Sequence, residues 1–101
     1  MIPESTYHFS APLWLYQGQG AWHFITLPHD VAARIRTVYT RPRRGWGSIR
    51  VAVTIGTTRW KTSIFPERAT QSFLLPIKAE VRRKEALEVG QEVPVALTIL
   101  E

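Results

Sequence analysis

At 101 residues the chain is one domain's worth of sequence, and its 45% apolar and 11% aromatic content is that of a chain able to bury a core. The absence of cysteine excludes a disulfide framework, a thiolate nucleophile and a cysteine zinc site. Thirteen basic against eight acidic residues give +5, and ten of the thirteen are arginine, whose planar guanidinium fits phosphate and carboxylate.

Residues Tyr7 to Gln17 alternate, with Phe9, Ala11, Leu13 and Leu15 on one side and His8, Ser10, Trp14 and Tyr16 on the other, which reads as a strand. Gly18-Gln19-Gly20 supplies the positive φ values of a tight reversal, and Ala21 to Leu27 returns as the second strand of a hairpin. At Leu27-Pro28 the period changes. Val31, Ile35 and Val38 share a helical face, Pro28 suits a first turn and Asp30 suits the N-terminal dipole, so a helix is expected over 29–38. Thr40 to Gly47 holds a proline and two glycines in eight residues and cannot continue it; this is the basic loop.

Ser48 to Ile55 alternates with Ile49, Val51, Val53 and Ile55 inward, and Gly56-Thr57-Thr58 turns it into a strand over Arg59 to Phe65. Pro66 to Thr70 is expected to break the ladder. Gln71 to Leu75 reads as a fifth strand, Lys78 to Leu87 as a weak outer helix with little buried, and Val93 to Leu100 as a sixth strand, Gly90 lying where the helix ends or the strand begins. Six short strands with two helices make the fold class mainly β, and a small closed barrel is the natural way to hide their edges. One domain spanning 1–101 is expected. A faint echo, Phe24-x-x-Leu27-Pro28 against Phe73-x-Leu75-Pro76, hints that the two halves repeat.

These motifs, with Trp22-His23 directly ahead of Phe24-x-x-Leu27-Pro28, the strand-turn-strand Val51 to Ser63 and the stretch Leu75-Pro76 to Val95, resemble a small bacterial domain-of-unknown-function family over nearly the whole chain. The most specific piece is Val81-Arg82 followed by Leu87-x-x-Gly90-x-x-Val93. Many relatives carry an acidic residue directly after that glycine, where this chain has Gln91. The resemblance implies a six-stranded double-split β-barrel with two short capping helices, the fold of AbrB and MazE type regulators and antitoxins. The family is sometimes fused to a bacteriocin-protection (OmpD-associated) domain. It implies no activity, because fold does not fix function.

Catalytic constellations are thin. Asp30 is the one aspartate, and it diverges from the adjacent His29 by roughly 100° on a helix. No nucleophile-elbow or phosphate-loop motif is present, and no cofactor is implied. His8 and His23 lie on the two strands of the first hairpin and could face each other as a metal pair, yet no third ligand stands at diagnostic spacing, so no metal site is assigned. Trp22 and Trp60 read as core.

Between Asp30 and Glu67 there is no acidic residue, while Arg34, Arg36, Arg41, Arg43, Arg44, Arg50, Arg59 and Lys61 all fall there. Solubility accounts for such a block, and so does a site for polyanions. Trp46 beside Arg43 and Arg44 could stack on a base or plug a barrel end. The expectation is a non-catalytic binding or accessory domain that meets an anionic partner, nucleic acid first, through Arg36, Arg41, Arg43, Arg44, Trp46 and Arg50. The alternative is a pocket protein holding a small molecule at the barrel mouth between Trp14, Trp60 and the histidines. A homodimer through a strand edge is a further expectation. No membrane partner is expected: the first twenty residues lack a basic n-region and an apolar h-region, which makes a cytoplasmic location the default.

Overall fold

A computed structural model describes residues 6–39 and 47–100. In chain order the elements are β1 (Thr6–Leu15), β2 (His23–Thr26), α1 (His29–Val38), β3 (Ile49–Ile55), β4 (Thr58–Glu67), β5 (Ser72–Pro76), α2 (Ala79–Lys84) and β6 (Glu92–Ile99). The strands close into an antiparallel barrel in the order β1-β2-β5-β4-β3-β6. Its interior is filled by apolar side chains. Leu13, Ile25, Ile49, Val51, Val53, Ile64, Leu75 and Leu97 are all buried, each contributed by an alternating strand of period two.

The two long strands change partners midway. Thr6 to Pro12 of β1 pairs with β6, and Leu13 to Leu15 pairs with β2. Likewise Thr58 to Ile64 of β4 pairs with β3, and Phe65 to Glu67 pairs with β5. The first seven residues of each long strand therefore have no strand on one side, and these two gaps are the splits of the barrel. A helix lies at each. Arg34 of α1 sits over the Tyr7 ring of β1 at 5.1 Å, and α2 lies beside β4.

The halves repeat in space. Exchanging β1-β2-α1-β3 for β4-β5-α2-β6 leaves the ring of neighbours unchanged. The Leu27 amide donates to the Phe73 carbonyl at 3.0 Å, and the Ile77 amide donates to the His23 carbonyl at 2.9 Å, on either side of the Ile25–Leu75 pair. Leu27 thus corresponds to Ile77, and Pro28, the N-cap of α1, corresponds to Lys78, the N-cap of α2. The sequence echo aligned Pro28 on Pro76, two residues too early.

Other expectations shift for identifiable reasons. Pro66 does not end β4, which runs on to Glu67 with Pro66 opposite Phe73. Past Ile64 the strand has left β3, so a residue without an N–H costs no ladder bond on that side. On α1 the buried stripe is Val31, Ala32 and Ile35, continued by Tyr39, while Val38 is 66% exposed. In the first turn the positive φ values belong to Gly20 and Ala21. The second helix is shorter than expected because Ala86, at φ 53°, ends it in the left-handed region; only Val81 is buried, as its poor stripe foretold. Gly90 turns the chain into β6, its amide donating to the Leu13 carbonyl at 2.8 Å. The Gln91 side-chain oxygen accepts from the Glu88 amide at 3.0 Å.

Glu85, just past α2, clamps the β3–β4 turn. Its Oε2 accepts from the Thr58 hydroxyl at 2.6 Å and from the Thr57 amide at 3.3 Å, and it lies over Gly56, whose φ is 59°. Gly56→Ala adds backbone strain and displaces this carboxylate, so a loss of about 1–3 kcal/mol is expected. Glu85→Ala should cost about 1–2 kcal/mol. Urea unfolding midpoints check both, and unchanged midpoints would mean that the clamp is not formed.

Candidate functional site

The split beside β4 opens a cleft of about 490 Å³. One wall is the unpaired side of β4 from Trp60 to Ser63; the other is the start of β2, the end of β5 and α2. Four cations line it: Arg50 of β3, Lys61 of β4, Lys78 at the N-cap of α2 and Arg82 one turn later. Among the described residues, no carboxylate lines it. Arg50 pairs with Ser63 and Lys61 with Ala52, which makes Arg50 and Lys61 diagonal neighbours on the outer face, roughly 7–8 Å apart. Lys78 has an exposed ion pair with Glu80 at 3.7 Å, of a kind that contributes little.

Arg82 is held in place. Its Nε donates to the Ile77 carbonyl at 3.1 Å and its Nη1 to His23 Nε2 at 3.3 Å. His23 Nδ1 lies 2.9 Å from the Ala21 carbonyl. A guanidinium cannot accept and a carbonyl cannot donate, so Nδ1 carries the proton, Nε2 accepts and the ring is neutral. With two N–H groups of Arg82 so engaged, three of its five donors remain for a ligand.

Trp22 is the ridge between this cleft and an aromatic shelf. The shelf is a shallow groove of about 600 Å³ lined by Trp14, Tyr16, Trp22, Phe24, Phe65 and Leu74 among others. Phe24 is its hub. Trp22 stacks on it with centroids 6.0 Å apart and planes 6° apart, Trp14 lies tilted at 5.4 Å, and Tyr16 meets it edge-on at 6.3 Å. The glycines of the first turn make room for two of these rings: a side chain at Gly18 would strike Tyr16, and one at Gly20 would meet Trp22. Trp14 Nε1 donates to the Thr26 hydroxyl at 2.9 Å, which orients its ring.

Trp22 is therefore not core; it is 55% exposed, while Trp60 is half-buried against the core from the cleft side. The barrel mouth does not gather Trp14, Trp60 and the histidines. Trp14 is on the shelf, Trp60 and His23 are in the cleft, and His8 lies in a third groove beside Thr54 and Pro94. Nor do His8 and His23 meet: His23 stands opposite Leu15 and His8 opposite Ala96, seven residues apart along β1, roughly 23 Å at strand rise. His29 Nε2 donates to the Thr70 carbonyl at 2.8 Å.

Of the arginines singled out in sequence, Arg50 enters the cleft. Arg36 does not: its Nη1 donates to the Gln71 carbonyl at 2.8 Å, in a groove beside Arg68 and Phe73. Arg41, Arg43, Arg44 and Trp46 lie outside the described residues. Sequence reasoning named Lys61 only within the cationic block and passed over Lys78, Arg82 and Trp22 as site residues. The available signals were Trp22-His23 and Val81-Arg82, both within the family resemblance.

A family model matches residues 9–97, which take in both halves of the barrel, the cleft and the shelf. The chain belongs to the DUF1905 family. DUF1905 is described as a domain of unknown function, so membership fixes no ligand, and the match does not extend to AbrB or MazE regulators or to a fused bacteriocin-protection domain. No curated protein matches the chain. Among the described residues of this DUF1905 domain, no helix is long and apolar enough to cross a membrane.

The Arg82–His23–Ala21 chain has a spectroscopic signature. Long-range ¹H–¹⁵N spectra should show His23 as the neutral Nδ1–H tautomer, and Arg82→Met should relax that preference. A dominant Nε2–H form in the unmodified protein would mean that Arg82 is not docked on the ring.

Proposed function

We propose that this DUF1905 domain is a binding or accessory module that takes an anionic, planar ligand in the split beside β4. The observation that carries this reading is the lining: among the described residues four cations converge there and no carboxylate does. Arg50 and Lys61 supply exposed charge from the strands, and Arg82 supplies fixed donors, so a phosphate is met by both point charge and directed hydrogen bonds. Trp22 and Trp60 offer faces on which a ring could stack beside that charge. The basic stretch around Arg43, Arg44 and Trp46 has the same chemistry in sequence. Phosphorylated small molecules and nucleic acids both answer to this description.

Tryptophan fluorescence titrated with adenosine monophosphate, adenosine and pyrophosphate tests the reading. Adenosine monophosphate is expected to give a saturable change, adenosine a response at least about tenfold weaker, and pyrophosphate competition. The double substitution Arg50→Ala with Lys61→Ala should weaken the monophosphate at least about tenfold, since each charged contact is worth roughly 1 kcal/mol or more. Equal binding of adenosine, an indifferent double variant, or no response to either anion would overturn it.

A further inference from the structure

We infer that the ligand of the cleft is a single-stranded nucleic acid whose phosphates lie against the cations and whose bases run over Trp22 onto the aromatic shelf. The inference rests on the anion reading above and names its ligand class. Three residues, Trp22, Phe65 and Pro76, line both the cleft and the shelf, so the two are one continuous surface with charge on one side and rings on the other. A single strand divides its chemistry the same way, with a charged backbone along one side and apolar faces that stack on aromatic side chains along the other.

The shelf is open to such a ligand. Tyr16 is 48% exposed, Trp22 55% and Phe65 38%, and a protein of this size seldom leaves neighbouring rings uncovered without a partner for them. Glu67, the acidic residue on the shelf, has its carboxylate engaged by the Thr70 hydroxyl at 2.7 Å. A mononucleotide would fill the cleft and leave the shelf bare. A duplex keeps its base faces stacked on one another and cannot present them to Tyr16 or Phe24. An apolar peptide or a second copy of the chain would cover the shelf and make no use of the four cations beside it. Stacking serves every base alike, so little sequence preference is expected.

Fluorescence anisotropy with a labelled ten-nucleotide oligothymidylate tests the inference, with thymidine monophosphate, inorganic polyphosphate and a ten-base-pair duplex as competitors. The oligothymidylate should bind at least about tenfold tighter than any of the three. With four cations engaged, log affinity should fall against log salt with a slope near −3. Tyr16→Ala should weaken the single strand by roughly fivefold or more while leaving thymidine monophosphate unchanged, and Tyr16→Phe should restore it. In the unmodified chain the oligothymidylate should shield tryptophan emission from acrylamide, and polyphosphate should not; this arm holds even if Tyr16→Ala fails to fold.

If thymidine monophosphate binds through Arg50 and Lys61 and the oligothymidylate binds no tighter, the single-strand inference fails and the anion reading stands. If neither binds, both fail. Equal binding of duplex or polyphosphate would overturn the inference, as would a dimer in light scattering that Tyr16→Ala dissociates.

Discussion

The structure depends on two strands that each belong to two sheets. β1 and β4 are long enough to pair with one neighbour at the start and with another at the end, and this is how six short strands close without an exposed sheet edge running the length of the molecule. The switch has a cost. Along Thr6 to Pro12 and Thr58 to Ile64 one side of the backbone has no strand beside it, and its polar groups need other company. The helices stand at those two places because the chain returns there after each short strand.

Two equivalent gaps with different side chains then account for a site on one flank alone. At β1 the gap is closed by apolar and cation–π packing, with Tyr7 buried and Arg34 laid over its ring. At β4 the corresponding helix buries a single residue, Val81, and spends its polar face on the opening. A helix too poor in apolar residues to seal the barrel is what leaves a cleft with Lys78 and Arg82 at its rim. The same weakness that makes α2 a marginal helix supplies the polar chemistry.

Order within the cleft comes from backbone groups. Arg82 is fixed by the Ile77 carbonyl and by a neutral His23, itself fixed by the Ala21 carbonyl, so part of the rotamer entropy of a charged side chain is lost on folding and not on binding. The aromatic shelf is ordered differently, by ring packing around Phe24 and by glycines that let Tyr16 and Trp22 fold over the turn. A hairpin turn of the form aromatic-x-Gly-x-Gly-x-aromatic is thus a device for holding rings at the surface, although in sequence it looks only like a tight reversal.

Local periodicity by itself determined the number and approximate place of the elements: α1 matches its expected bounds of 29–38, and the inward set Ile49, Val51, Val53 and Ile55 is buried throughout. These follow from local rules of period and turn chemistry that need no knowledge of neighbours. What surrounds an outward side chain is not local. Trp22 read as core because a large apolar ring usually is, and only the position of β2 on the outer flank exposes it. Arg82 and Lys61 stand 21 residues apart in a sequence that treats them as unrelated surface charge, and Arg36 and Arg50 read as one block although they serve different grooves. Tertiary structure decided those groupings, because the partner switch of β4 fixes which helix faces which strand and hence which charges share a cleft.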